Sequence, residues 1–408
     1  MAQVHQLRCR ECGRTYDVSP RYACEWCFGP LEVAYDPDAT RQVTRETIAA
    51  GPPTIWRYGG LLPVDEVPGS APVGCTPLVR ADRLAAELGL GEVWVKDDTR
   101  NPTNSFKDRV VAVALAQAIE FGLKTVACAS TGNLANAVAA AAARAGLPSY
   151  VFIPANLEPA KIATTAVYGA NVVAVDGTYD DVNRLCAELA GEQPWAFVNI
   201  NVRPFYAEGS RTLAFETAEQ LGWEVPDHVV VPVASGPLLT KIHKGFGDLV
   251  DAGLLDDAPV RISGAQATGC SPVATAFAES SDTIRPQKPD TIAKSLAIGD
   301  PADGYYALDV VRRTGGAVAS VTDDEIRAGI RLLARTEGIF GETAAGVTIA
   351  TLRRLAEDGV VRPDERVVAY VTGHGLKTLD AVGPGGPTAT IEPTIDSFRA
   401  AFPGAAEA

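Results

Sequence analysis

The stretch TVACASTGNLANAVAAAAARAGLPSYVFI, Thr125 to Ile153, decides the fold. It opens with a short β-rich run, Thr125–Ala129, passes through a polar loop into an alanine-rich helical segment over 133–146, and returns to a second β-rich run, Ser149–Ile153. Both runs are apolar through their centres rather than alternating, the pattern of strands covered on both faces. The same texture extends outward. Further β-rich runs are predicted at Glu92–Lys96, Asn171–Val175, Trp195–Asn199, His228–Val233, Val260–Gly264 and Val367–Val371, and helices at 107–121, 180–190, 208–221, 237–251, 323–336 and 344–357. Strands alternating with helices define open α/β sheets with covering helices. In such sheets ligands sit at the carboxyl ends of the strands, so the loops after these runs are where chemistry is expected.

Length and composition agree with that class. The 408 residues suffice for two or three domains, and 47% hydrophobic residues can fill their cores. Lysine and arginine number 36 against 50 acidic residues, a formal charge of −14 that repels phosphate backbones and anionic lipid headgroups. Nucleic acid and membrane surfaces are therefore poor partner candidates. No apolar run reaches the roughly 18 residues of a membrane helix. The opening MAQVHQLRCRECG lacks the apolar core of a secretory signal, so a cytoplasmic protein is expected. The histidines are scattered and form no H-E-x-x-H pair, which leaves sulfur as the expected metal ligand.

The cysteines divide into a cluster, Cys9, Cys12, Cys24 and Cys27, and four isolated ones, Cys75, Cys128, Cys186 and Cys270. Two C-x-x-C knuckles can present four thiolates tetrahedrally to one structural Zn²⁺, which supplies folding energy that so short a segment cannot draw from a core. A pair of disulfides or a redox C-x-x-C is the alternative; nothing suggests an oxidising compartment, and no βαβ pattern surrounds the cluster. The isolated cysteines read as core fillers. Residues 34–75, with several prolines and little periodicity, read as a connecting segment wrapped on a larger body.

Four loops carry unusual chemistry. NPTNSFKDR, Asn101 to Arg109, delivers Lys107 to the start of a helix. A positive helix end lowers the pKa of an amine and suits one that forms a Schiff base; an ordinary surface lysine is the plainer alternative. STGNLAN, Ser130 to Asn136, sets hydroxyls and N–H groups at a helix start, an anion seat or an ordinary N-cap. ASGPLLT, Ala234 to Thr240, forms a second anion cradle that matches neither the P-loop nor the dinucleotide fingerprint. VTGHGL, Val371 to Leu376, ends a late strand with a hydroxyl and two glycines. Glu342 reads as a helix cap or a catalytic carboxylate, and Lys161 as a solvated lysine; both stay outside the expected catalytic set.

Taken in order, these loops resemble the fold-type II pyridoxal-phosphate enzymes, and among them the threonine synthases. The resemblance rests on GCTPL at 74–78, NPTNSFKDR around Lys107, STGN at 130–133, TIAKSLAIGDP from Thr291 to Pro301 and TGHGLK at 372–377. It implies two open twisted α/β domains with the cofactor in their cleft, plus a small N-terminal zinc ribbon. The expected division is a ribbon over 1–33, a connecting segment and the first part of the large domain over 34–105, a smaller domain over 106–215, the remainder of the large domain over 216–385, and a tail over 386–408. Pyridoxal 5'-phosphate is the implied cofactor. Lys107 resembles its Schiff-base lysine, Phe106 a neighbour of the ring, Asn133 the partner of the phenolic oxygen, and Thr372 the group facing the pyridine nitrogen. Ala234, Ser235, Gly236, Pro237 and Leu238 resemble the phosphate cradle, although Pro237 removes one N–H donor from it.

The implied reaction converts O-phospho-L-homoserine and water to L-threonine and phosphate by γ-elimination and β-addition, with Lys107 shuttling protons and Ser130 and Thr131 holding the substrate carboxylate. The implied partner is a small amino-acid phosphate, and the implied assembly a homodimer. The segment NINVRPFYAEGSRT, 199–212, departs from the family pattern. Many relatives read roughly N-S-x-N-P-x-R-x-E-G-Q-K-T there, and the arginine slot holds Tyr206. Asn201, Arg203, Ser210 and Arg211 are expected to clamp the substrate phosphate instead, with surface ion pairs the alternative for the two arginines. The departure leaves room for β-replacement on O-phosphoserine, as in cysteate synthesis, or for deamination of threonine or serine. A non-catalytic, ribbon-containing regulatory protein is the alternative from a different class.

Overall fold

The computed structural model describes residues 4–130, 132–155, 157, 159–383 and 385–403. In chain order the strands are β1 (Val4–Cys9), β2 (Thr15–Tyr16), β3 (Leu31–Tyr35), β4 (Leu78–Arg80), β5 (Glu92–Asp97), β6 (Val126–Ala129), β7 (Ser149–Pro154), β8 (Asn171–Val175), β9 (Ala196–Phe197), β10 (His228–Pro232), β11 (Arg261–Ala267), β12 (Val318–Val321) and β13 (Arg366–Val371). They form three sheets, ordered β2-β1-β3, β12-β11-β10-β13-β5-β4 and β8-β7-β6-β9. The first is an antiparallel ribbon. The other two are parallel, apart from β4, which runs antiparallel at an edge.

Sheet order explains why distant loops meet. β10, β13 and β5 are neighbours, so their carboxyl ends bring the Ala234, Thr372 and Asn101 loops to one edge of the six-stranded sheet. Every residue of β10 is buried, as its unbroken HVVVP run requires between two helical layers. The helix Lys107–Glu120 leaves that edge and packs on the helices Asn133–Ala145 and Arg203–Glu208, which carry the chemistry contributed from beside the four-stranded sheet. No helix among the described residues is long and apolar enough to cross a membrane.

Several expectations are corrected. The helix expected over 208–221 is three pieces, Arg203–Glu208, a 3-10 turn Gly209–Arg211, and Thr212–Gln220. Gly209 backs onto the neighbouring helix so closely that a Cβ there would stand 2.7 Å from Val110 Cα. The strand expected at Trp195–Asn199 shrinks to Ala196–Phe197, because Asn201 closes a turn on it by accepting the Phe197 N–H at 2.9 Å. Strands β4 and β12 and the helices Asp82–Leu88, Pro272–Ala278 and Gly304–Thr314 were not expected. Residues 34–75 supply core as well as connection, since Ile48, Ile55, Tyr58 and Leu61 are buried. Of the isolated cysteines, Cys128, Cys186 and Cys270 are buried, whereas Cys75 is half-buried in a left-handed conformation with φ +46°.

Candidate active site

The loop that delivers Lys107 is held by charge. Arg109, fully buried, pairs with Asp98 at 2.7 Å and Glu216 at 2.5 Å and donates to Thr76 Oγ1 at 2.9 Å. Glu216 also takes Lys96 Nζ at 2.7 Å and the Cys75 N–H at 2.7 Å. Residues of the GCTPL and NPTNSFKDR stretches thus meet in one buried cluster under the loop. Asp108 accepts from Thr103 N–H at 2.7 Å and Oγ1 at 2.8 Å, closing the turn before the helix; burial pushes its carboxyl up to about 6. Phe106 N–H donates to the Thr372 carbonyl at 2.9 Å, and His374 N–H to the Asn104 carbonyl at 3.0 Å, so the loop after β13 is stitched to it.

Lys107 Nζ donates to the Tyr206 phenol oxygen at 2.9 Å and lies 4.5 Å from the Phe106 ring centroid. Burial lowers its pKa to about 8, with the Glu342 carboxylate drawing it back upward. The depression expected from the helix end is therefore accounted for first by burial. Glu342 stands at an N-cap position yet makes no side-chain cap bond. It faces the cleft, where Asn133 Nδ2 donates to its two oxygens at 2.9 and 3.0 Å. That carboxylate fills the space that Gly373 leaves open, where a Cβ would meet it.

Asn133 opens the helix Asn133–Ala145, whose first turn is tied by Ser130 Oγ accepting from Gly132 N–H at 3.2 Å and Ala135 N–H at 3.0 Å. Ser130 thus caps this helix. Thr131 lies outside the described residues. A cavity of about 230 Å³ opens here, lined by Asn104, Gly132, Asn133, Glu342 and Lys377 among others. Lys377 Nζ donates to Asn136 Oδ1 at 3.0 Å on its wall.

The Ala234–Leu238 loop leads into the helix Pro237–Asp251. Gly236 has φ +102°, and a Cβ there would stand 2.6 Å from the Asp303 carbonyl oxygen. Thr240 N–H makes the first intrahelical bond, so the Leu238 and Leu239 N–H groups precede it as helix-start donors. Pro237 sits at the first helical turn, where its missing N–H breaks no intrahelical bond.

The expected phosphate clamp is not assembled. Arg211 is fully buried against Glu208 at 2.7 Å, Asp248 at 2.5 Å and the Leu61 carbonyl at 2.6 Å, and also donates to Tyr35 of the ribbon. It faces a groove between ribbon and body rather than the Lys107 cleft. Asn201 is occupied by the Phe197 N–H and the Trp195 carbonyl, and Ser210 is buried in the 3-10 turn. Arg203 alone stays near the site, paired at 2.9 Å with Asp303, whose backbone abuts Gly236. Tyr206, Glu342 and Lys377 are the site-facing groups that the sequence reading left out. Tyr206 was visible only as an arginine slot without its arginine, and Lys377 only as the end of TGHGLK.

The residues present fit a pyridoxal phosphate. They offer a partly deprotonated, half-buried amine beside an aromatic ring, a cradle that admits no Cβ, and a helix start whose N–H groups can receive an anion. In the ribbon the four cysteine sulfurs lie within 4.8 Å of one another and are unbonded. The Cys9–Cys27 and Cys12–Cys24 separations of 3.4 and 3.7 Å compare with about 3.8 Å for thiolates tetrahedral on Zn²⁺.

Comparison with known proteins agrees with this geometry. The sequence profile described as "Pyridoxal-phosphate dependent enzyme" matches residues 70–373, and the chain belongs to that family. Solved structures support the fold: the chain is similar to a diaminopropionate ammonia lyase from Escherichia coli, with TM-score 0.65 and 20% identity over 94% of this chain and 98% of that one. Within the family it is similar to the threonine synthase of Methanocaldococcus jannaschii, 41% identical over 92% of this chain and 93% of the relative. The threonine synthase of Methanosarcina acetivorans is 38% identical over 99% of this chain and 100% of its own.

Proposed function

We propose that the chain is a threonine synthase, converting O-phospho-L-homoserine and water to L-threonine and phosphate. The observation that carries this reading is Lys107, a half-buried amine whose desolvation lowers its pKa to about 8, in the cleft of a pyridoxal-phosphate family chain that is similar to threonine synthases over nearly its whole length. Lys107, Phe106, Asn133, Thr372 and the Ala234–Leu238 loop would hold the cofactor. Bound there, pyridoxal phosphate would supply an electron sink that acidifies the substrate carbons next to it.

The remaining work falls to the chain. Lys107 Nζ, with its pKa near working pH, takes and returns the protons at Cα and Cβ as general base and acid. The N–H groups at the start of the Asn133 helix seat the substrate carboxylate. Thr372 would offer the pyridine nitrogen a neutral hydroxyl rather than a carboxylate. Lys377, on the cavity wall, supplies positive charge for the phosphate that leaves from Cγ, in place of the expected arginines. Glu342 binds Asn133 from across the cleft and steadies the charge of Lys107 and Lys377.

The four cysteines hold Zn²⁺ as a structural ion, the six-stranded and four-stranded sheets form the larger and smaller domains, and the enzyme is a cytoplasmic homodimer. The metal is supported by the sulfur geometry and the last two by the family resemblance. Replacing Lys107 with alanine tests the central assignment. Loss of both the visible absorbance of the bound cofactor and turnover is expected; normal turnover would overturn it.

A further inference from the structure

Tyr206 occupies the slot in which many relatives read arginine, and it turns toward Lys107. The phenol oxygen accepts from Lys107 Nζ at 2.9 Å, and the amine stands 5.5 Å from the Tyr206 ring centroid and 4.5 Å from that of Phe106. The tyrosine is 9% exposed and belongs to the buried apolar cluster that includes Val202, Phe205 and Cys128. Burial, and behind it Cys128, holds the phenol above the ordinary tyrosine range, while Arg203, three residues earlier, pulls it back. The hydroxyl therefore keeps its proton at working pH. Lys107 is faced in turn by Glu342, which favours its charged form. A neutral phenol accepts a hydrogen bond from an ammonium and donates one to an amine, so it serves the lysine in both protonation states. An arginine at the same place offers donors only and would repel the ammonium.

We propose that Tyr206 is the positioning residue of Lys107, holding Nζ in place through its hydroxyl while the lysine gains and loses a proton. The inference rests on the proposed function for the reaction, but not for the contact. In this chain the slot of Tyr206 thus serves the base rather than the leaving group.

The test compares wild type with Tyr206→Phe, which keeps the ring and removes the hydroxyl. The holoenzyme is stripped of cofactor, and the rate at which added pyridoxal phosphate restores the visible absorbance band is followed against pH, since only the neutral amine reacts. The bond accepted from the ammonium is charge-assisted and so stronger than the one donated to the neutral amine, and losing both should move the midpoint down by about one pH unit. With O-phospho-L-homoserine, kcat should fall about ten-fold or more with KM little changed. Replacing Tyr206 with 3-fluorotyrosine, which preserves shape and weakens the oxygen as an acceptor, should move the midpoint the same way by less. An unmoved midpoint in either folded variant overturns the proposal. A moved midpoint in a protein that makes no L-threonine upholds the positioning role and rejects the reaction; L-threonine formation with an unmoved midpoint does the reverse.

Discussion

Replacing Glu216 with glutamine tests whether buried charge fixes the loop that carries Lys107. Glu216 is 1% exposed. Its oxygens take Arg109 at 2.5 and 2.8 Å, Lys96 at 2.7 Å and the Cys75 N–H at 2.7 Å. Two cations, Arg109 and Lys96, are balanced there by Glu216 and Asp98. Glutamine keeps one acceptor oxygen, turns an NH₂ toward groups that are themselves donors, and leaves the cluster one positive charge in excess. Removing one partner of a buried pair costs about 3–5 kcal/mol. Two charge-assisted hydrogen bonds at about 1.5–3 kcal/mol each describe the same loss from the other side. Urea unfolding of both proteins at neutral pH reads it as a shift of midpoint. The pH dependence has a definite sign. Burial alone would raise the Glu216 carboxyl, but Arg109 and Lys96 hold it down at about 2. The folded value lies below the unfolded one of about 4.3, so the stabilisation is complete above that pH and is lost as pH falls toward about 2. The variant lacks that titration, and the gap between the proteins should narrow on acidification across the window. A neutral-pH loss below about 1 kcal/mol, or a gap indifferent to pH, would refute the reasoning.

Three further outcomes are expected. Arg211→Lys should lower stability through the Glu208, Asp248 and Tyr35 contacts while leaving KM for O-phospho-L-homoserine unchanged; a KM increase without loss of stability would return Arg211 to the substrate site. Lys377→Gln should raise KM for the phosphorylated substrate about ten-fold or more, and equal KM in the two proteins would remove Lys377 from the phosphate site. A strong chelator should release about one zinc per chain and lower the melting temperature, since Glu32 and Tyr35 of the ribbon reach Lys241 and Glu208 at 2.9 and 2.7 Å. Metal analysis that finds no zinc in the purified protein would contradict the ribbon assignment.

Much of the fold was legible because parallel strands buried on both faces leave unbroken apolar runs, and β6, β7, β8, β10 and β13 lie within a residue or so of their expected places. Short edge elements were not. β4 and β12 span three and four residues, and β12 is buried only at its two ends, which gives no run to recognise. The long helix expected over 208–221 looked continuous because its interruption at Gly209 comes from contact with Arg109 and Val110, a hundred residues away. The site divided along the same line. Residues anchored by local pattern, such as Lys107 at a helix start and Gly236 before another, were readable. Direction was not: Arg203 and Arg211 have the right charge for a phosphate, but tertiary packing turns one to Asp303 and the other to Glu208 and Asp248. Glu342 was equally a cap or a cleft residue until the space left by Gly373 showed which way its carboxylate lies.

The most direct test of the account is a product-resolved assay of the purified protein with pyridoxal phosphate and O-phospho-L-homoserine, following inorganic phosphate and chiral amino acids in one sample. Phosphate and L-threonine should appear in equal amounts. A protein that binds the cofactor but releases neither, or that instead acts on O-phosphoserine or free threonine, would contradict it.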